Sequence, residues 1–136
     1  MGKLVAKLAE EHQPECRVID KSMEVFWNMW QEPSGIKRLM LLNTDWTTHG
    51  NRKTVTVAVP GMSFETDVIE RIPKIFTVTE NAVIETPAEI HVEVINSDCI
   101  RLYGSSPAEI TIRRKNGVIE TYMIDFNDET SRDLAI

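Results

Sequence analysis

Apolar positions along this chain recur with two different periods, and the change falls close to Pro14. Leu4, Val5, Leu8 and Ala9 keep helical spacing, with Lys3, Lys7, Glu10 and Glu11 on the opposite side. A proline pushes the residue before it out of the α region, so the pattern predicts one amphipathic helix within residues 1–15. So short a helix is marginal alone in water, and its apolar stripe has to rest on something.

From Cys16 onward the period is two. Between Ser22 and Trp30, Met23, Val25, Trp27 and Met29 fall on one side, and Glu24, Phe26, Asn28 and Trp30 on the other. Glu32-Pro33-Ser34-Gly35 has turn composition, and Lys37 to Asn43 returns as a strand. That strand is apolar on both faces, through Leu39 and Leu41 on one and Met40 and Leu42 on the other, as a doubly covered strand would be. Phe26, Trp30, Met40 and Leu42 therefore form a candidate docking face, covered by the helix, by another domain or by both.

A polar loop, Asn43 to Arg52, holds one aromatic, Trp46. Val55, Val57 and Val59 then alternate with threonine up to Pro60-Gly61, where proline fixes φ and glycine accepts a positive φ, as a type II turn requires. A two-residue hairpin there sets Val57 opposite Phe64 and Val59 opposite Met62. Short strands follow at Lys74 to Val78, Ala82 to Glu85, Ala88 to Ile95 and Asp98 to Tyr103. Asn116-Gly117 is read as a type I′ pair joining Glu109–Arg114 to Val118–Ile124, with Ile110 opposite Met123 and Ile112 opposite Thr121. After Phe126 the periodicity fades into an acidic stretch, expected to be a loose tail over 126–136. About eight to nine short strands, at intervals of roughly 8–14 residues, predict an all-β, antiparallel β-sandwich over 16–125 with one short N-terminal helix.

Length and composition narrow the function classes. The 136 residues suit one domain with its own core, 42% apolar and 26% charged, without need of metal or disulfides. Fifteen Lys and Arg against 21 Asp and Glu give −6, which argues against a nucleic-acid partner. No apolar run reaches the roughly 18 residues of a membrane span, so no membrane partner is expected, and no secretory signal opens the chain. Cys16 and Cys99 lack a metal-type spacing and read as buried, reduced thiols that would pair only if their strands were neighbours; compartment stays open.

Catalytic chemistry finds little footing. There is no nucleophile elbow and no phosphate-cradling glycine pattern, and His12, His49 and His91 lie in three different elements. Glu89, His91 and Glu93 share one strand face, where a solvated polar surface is the favoured reading over a metal site. Asp125, Asn127, Asp128 and Glu129 resemble half a calcium loop without its glycine and its later glutamate. The sequence thus predicts no enzyme, no cofactor and no metal. A ligand surface, if present, centres on Trp46 with Asp45 and His49, because a lone aromatic in a polar loop offers a stacking plate.

The run RLMLLNTDWTTHGNRKTVTV and the later INSDCIRLYGSSPAEITI resemble the β-sandwich domain that ends certain multidomain bacterial carbohydrate-active enzymes. In those domains a strand closing on an Asn-x-Asp-Trp-like turn, here Asn43, Asp45 and Trp46, precedes a Val/Thr strand, here Val55 to Val59. The resemblance spans roughly residues 16 to 124 and implies an immunoglobulin-like or amylase C-terminal-like sandwich. It implies a non-catalytic accessory role beside a catalytic domain of the same polypeptide, with glycan as an alternative partner. The N-terminal helix would then suit the last helix of such a catalytic domain. A free-standing adhesion or assembly domain, adding strands edge to edge, is the third reading.

Overall fold

A computed structural model describes residues 16–126 and 129–136, and the expected helix within 1–15 lies outside them. The described residues are all-β and form twelve strands: β1 (Arg17–Ile19), β2 (Val25–Gln31), β3 (Lys37–Asn43), β4 (Arg52–Val59), β5 (Met62–Ile69), β6 (Lys74–Val78), β7 (Ala82–Pro87), β8 (His91–Asn96), β9 (Cys99–Tyr103), β10 (Ala108–Arg114), β11 (Ile119–Ile124) and β12 (Ser131–Ala135). They pair antiparallel in three sheets. A central sheet of six runs β11-β10-β7-β6-β3-β2, and two flanking sheets of three run β1-β4-β5 and β12-β9-β8.

Alternation of side chains across the central sheet decides where each flank packs. Leu39, Leu41, Phe76 and Val83 point to one face and meet Val55, Val57 and Val68 of the β1-β4-β5 sheet. Ile84, Ile110 and Ile112 point to the other face and meet Val92, Ile100 and Leu102 of the β12-β9-β8 sheet. The flanks thus cover opposite faces at opposite ends, and the described residues form two cores where the sequence suggested one.

Each flank stops at a charged border. On one face the Arg38 guanidinium, almost wholly buried, pairs with Glu32 at 2.5 Å and donates to Thr77 Oγ1 at 3.0 Å and to the Val92 carbonyl of β8 at 2.6 Å. On the other, Glu85 takes Arg113 at 2.6 Å and Lys74 at 3.4 Å, while Arg113 lies 4.4 Å over the Phe64 ring of β5. Arg38 holds its charge inside by hydrogen bonding across the layers to β8, and Arg113 and Lys74 hold theirs against Glu85 within the central sheet, as cations withdrawn from water must.

The Pro60-Gly61 hairpin has the expected register, with Val57 opposite Phe64, Val59 opposite Met62, and Gly61 at φ +78°. The β10–β11 hairpin does not. Ile110 faces Tyr122, Ile112 faces Glu120 and Glu109 faces Met123, one residue away from the expected pairing. Gly117 alone in that turn has positive φ (+94°), whereas a type I′ turn needs it at both central residues. The connection is a three-residue loop, Lys115-Asn116-Gly117, in which Arg114 N–H donates to Val118 O at 2.8 Å and Gly117 N–H to Arg114 O at 3.0 Å. One extra loop residue turns Met123 and Ile119 to the open face, where both are exposed.

The loose tail expected over 126–136 is also corrected. Phe126 is buried in the second core, and Ser131–Ala135 pairs with β9, matching Leu134 to Ile100. Its apolar positions were too few for a two-residue period to show, so pairing to an available edge made the strand. Cys16 is buried in the first core and Cys99 lies on β9 of the other flank, with no disulfide between them.

Candidate functional site

Two surfaces gather the residues singled out from the sequence. The first is the β3–β4 connection. Asn43, fully buried at the end of β3, anchors it: its Nδ2 donates to Val68 O at 3.0 Å and Asn51 Oδ1 at 2.9 Å, and its Oδ1 accepts the Asp45 N–H at 2.9 Å. Asn51 Nδ2 returns to the carbonyls of Asp45 and Thr48 at 2.6 and 2.7 Å. Short Asn and Asp side chains replace a backbone ladder here, which is how such residues set tight loops.

Asp45 is spent on this scaffold. One carboxylate oxygen accepts the Thr47 hydroxyl at 2.5 Å and backbone N–H at 3.1 Å, and the other meets Lys53 Nζ at 2.9 Å. The Thr47 hydroxyl first, then the Lys53 ammonium, hold its acid down to about 2. Lys53 also takes Glu24 at 2.9 Å, and Thr44 donates twice to the Glu24 carbonyl, so the β1–β2 and β3–β4 connections are tied together. The two carboxylates, Glu24 first, stabilise the Lys53 ammonium and push its pKa above the ordinary lysine value.

Trp46 and His49 are the exposed ring side chains of the loop. Trp46 is 68% exposed between hydrogen-bonded neighbours, a fixed backbone presenting a free indole. The His49 ring, 82% exposed, sets Nδ1 3.3 Å from Glu70. Glu70 is buried and accepts Gly50 N–H at 3.0 Å and Arg71 Nε at 2.6 Å; the Gly50 amide first, then the Arg71 charge, keep it ionised below the usual range. Asp45, Trp46 and His49 thus belong to one loop, but only Trp46 and His49 offer themselves to solvent.

The second surface lies on β2 and β3. Phe26 pairs with Leu42 across the ladder, and Trp30 with Arg38, so Phe26, Trp30, Met40 and Leu42 share the face opposite the first core. The β12-β9-β8 sheet ends before reaching them. Phe26 is 52% and Trp30 37% exposed, with Met40 and Leu42 half-buried between them. Beside this face a cleft of about 500 Å³ runs between the β2–β3 turn and β8, lined in part by Glu32, Arg38, His91 and Glu93. Tyr103 donates to Glu93 at 3.1 Å and its ring lies 5.9 Å from that of His91.

Glu89 falls in the turn before β8, so it does not share a strand with His91 and Glu93. Among the described residues no three His, Cys, Asp or Glu converge as a metal site requires. The half calcium loop includes residues 127 and 128, outside those described.

Sequence reading missed Arg38, Glu70 and Lys53. Arg38 carried only a weak signal, standing beside Lys37 at the start of a strand that is apolar from Leu39 to Leu42. Glu70 carried none, since its burial depends on Gly50 and His49 arriving from a distant loop. Compared with known families, curated proteins and solved structures, the chain matches none of them.

Proposed function

We propose that this chain is a non-catalytic accessory domain of a larger carbohydrate-processing enzyme, an antiparallel sandwich bracing the catalytic module of the same polypeptide through Phe26, Trp30, Met40 and Leu42. One observation carries the reading: these four large apolar side chains line a single sheet face that neither flanking sheet covers. Contiguous apolar area left in water is unfavourable by about 25 cal/mol per Å², and a folded domain keeps it where a partner removes it. The nearest charged residue, Arg38, turns inward to Glu32 and Val92, and the one polar side chain between Phe26 and Trp30 on this face is the uncharged Asn28.

The test is amide hydrogen exchange on the chain alone and in the presence of the catalytic module encoded in the same reading frame. The reading expects protection centred on β2 and β3, lost in a Phe26→Ser, Trp30→Ser double variant that keeps its circular dichroism. Equal exchange with and without the module would refute it.

Trp46 favours a second reading, carbohydrate binding, since its 68% exposed indole stands on a loop already ordered by Asn43 and Asn51. A preordered aromatic loses little entropy on stacking against the apolar face of a sugar ring. Titration with soluble oligosaccharides should then change tryptophan emission in the native chain and not in Trp46→Ala. An unchanged spectrum across plant and host glycans would remove this reading.

A further inference from the structure

We propose that β2 is a pairing edge and that its partner is the β2 of a second copy of this chain, joined antiparallel across a two-fold axis at Asn28. Among the described residues the three sheets have six edges, at β1, β5, β11, β2, β12 and β8. Exposed edges template pairing with other chains, and proteins blunt them with charges, bulges or shortness. Five of the six are blunted. β1 is three residues long and carries Arg17, β5 carries Glu65 and Asp67, β11 carries Glu120, and β12 carries Arg132 and Asp133. β8 carries Glu93, has a bulge between Val94 and Asn96, and gives its Val92 carbonyl to Arg38. β2 reads Val-Phe-Trp-Asn-Met-Trp-Gln, with no charge, proline or glycine, and its ladder to β3 runs without a register shift.

Hydrogen bonding fixes which groups this edge offers. Thr44 N–H to Glu24 O at 2.7 Å and Glu32 N–H to Ile36 O at 2.9 Å bracket the β2–β3 ladder. Backbone groups alternate along an antiparallel strand, so Phe26, Asn28 and Trp30 turn theirs to β3, and Val25, Trp27, Met29 and Gln31 turn theirs outward. The Val25 N–H already donates to Asp20 Oδ2 at 2.8 Å. That leaves the amides of Trp27, Met29 and Gln31 facing away from β3.

A two-fold axis through Asn28 lets the whole strand overlap its copy. Trp27 then exchanges both backbone bonds with Met29 of the second copy, and Gln31 reaches Val25 of the second copy. The alternative registers that keep outward groups facing outward groups slip by two residues and lose overlap. In this register Phe26 stands opposite Trp30 of the second copy on one face, and Trp27 opposite Met29 on the other. Aromatic pairs and sulfur–aromatic pairs across strands are both favourable. The contact is isologous, so it closes at two copies. It uses the backbone edge of β2, whereas the accessory-domain reading uses side chains of the β2–β3 face; Phe26 and Trp30 enter both, so the two are told apart by sedimentation of the chain without any module.

Sedimentation velocity on the full chain, from about 1 to 100 μM, tests the pairing. We expect a monomer–dimer equilibrium within that range. Asn28 is exposed in the single chain, so Asn28→Lys should melt like the native protein while setting two ammonium groups against each other on the axis. That variant should weaken dimerisation at least about tenfold, in line with like charges placed directly opposite. In a Cys99→Ser background, Asn28→Cys should form a covalent dimer under mild oxidation, because directly opposed positions fall within disulfide reach. Gln31→Cys, opposite Val25 in this register, should link far more slowly. A monomer at every concentration, a dimer indifferent to Asn28→Lys, or equal linking by the two cysteine variants would overturn the proposal.

Discussion

Replacing Asn43 by alanine tests whether one buried carboxamide orders the loop that presents Trp46. The Asn43 side chain is fully buried and makes three well-formed bonds, to Val68 O (3.0 Å), Asn51 Oδ1 (2.9 Å) and from Asp45 N–H (2.9 Å). A typical intramolecular hydrogen bond contributes about 0.5–1.5 kcal/mol net, so the three together amount to about 3 kcal/mol. For a domain of this length that lowers the melting temperature by about 10–15 °C. Urea titration followed by circular dichroism reads the loss, and amide exchange at 44–51 reads its location. Asn43→Asp is the control. It keeps an acceptor for Asp45 N–H but turns a carboxylate toward Asn51 Oδ1 and the Val68 carbonyl, so it should destabilise at least as much as alanine. A loss below about 1 kcal/mol, with loop exchange unchanged, would mean that the loop is ordered by something else.

Other consequences can be measured on the same footing. A methyl group at Gly104 would lie 2.5 Å from Ile90 Cδ1 and 2.9 Å from the Phe126 ring, so Gly104→Ala should destabilise by about 1–3 kcal/mol. Ile90→Val removes the nearest of those atoms, and a double-mutant cycle should show it rescuing part of the loss. Arg38→Met keeps the stem but withdraws the donors to Thr77 and the Val92 carbonyl, and should cost about 2 kcal/mol in urea unfolding; a neutral result would mean that water replaces both bonds. Asp45 has its acid depressed to about 2 by Thr47 and Lys53, below an unfolded value of about 3.9. Its carboxylate therefore favours the folded state at higher pH, and that contribution fades as pH falls through about 4 to 2. Unfolding titrations of Asp45→Asn should show a flatter pH dependence over that window than the native chain.

Much of the strand pattern was legible because a half-buried strand repeats every two residues. Val55, Val57 and Val59 are buried as their alternation predicts, and Leu39 and Leu41 are fully buried. The Pro60-Gly61 turn fixed its own register, since the conformations of the two residues left one way to close. Asn116-Gly117 was misread because an Asn-Gly pair serves both a two-residue loop and a three-residue loop with glycine last. Asn43, Asp45, Trp46 and His49 were recognisable as a polar loop with an aromatic, but the sequence could not show that Asp45 faces inward. That depends on Lys53, which reaches it from the next strand and is shared with Glu24.

By itself, the amino-acid order determined local conformation: an all-β chain of short antiparallel strands, most of their inward residues, and the turn at Pro60-Gly61. Periodicity reports which side chains share a face, but it is silent on which faces meet. Tertiary packing alone decided that the flanking sheets cover opposite faces of one central sheet, that Arg38 and Glu70 are buried, and that Ser131–Ala135 is a strand. Each of those outcomes rests on contacts between residues far apart in the chain, where one partner's environment is supplied entirely by the other.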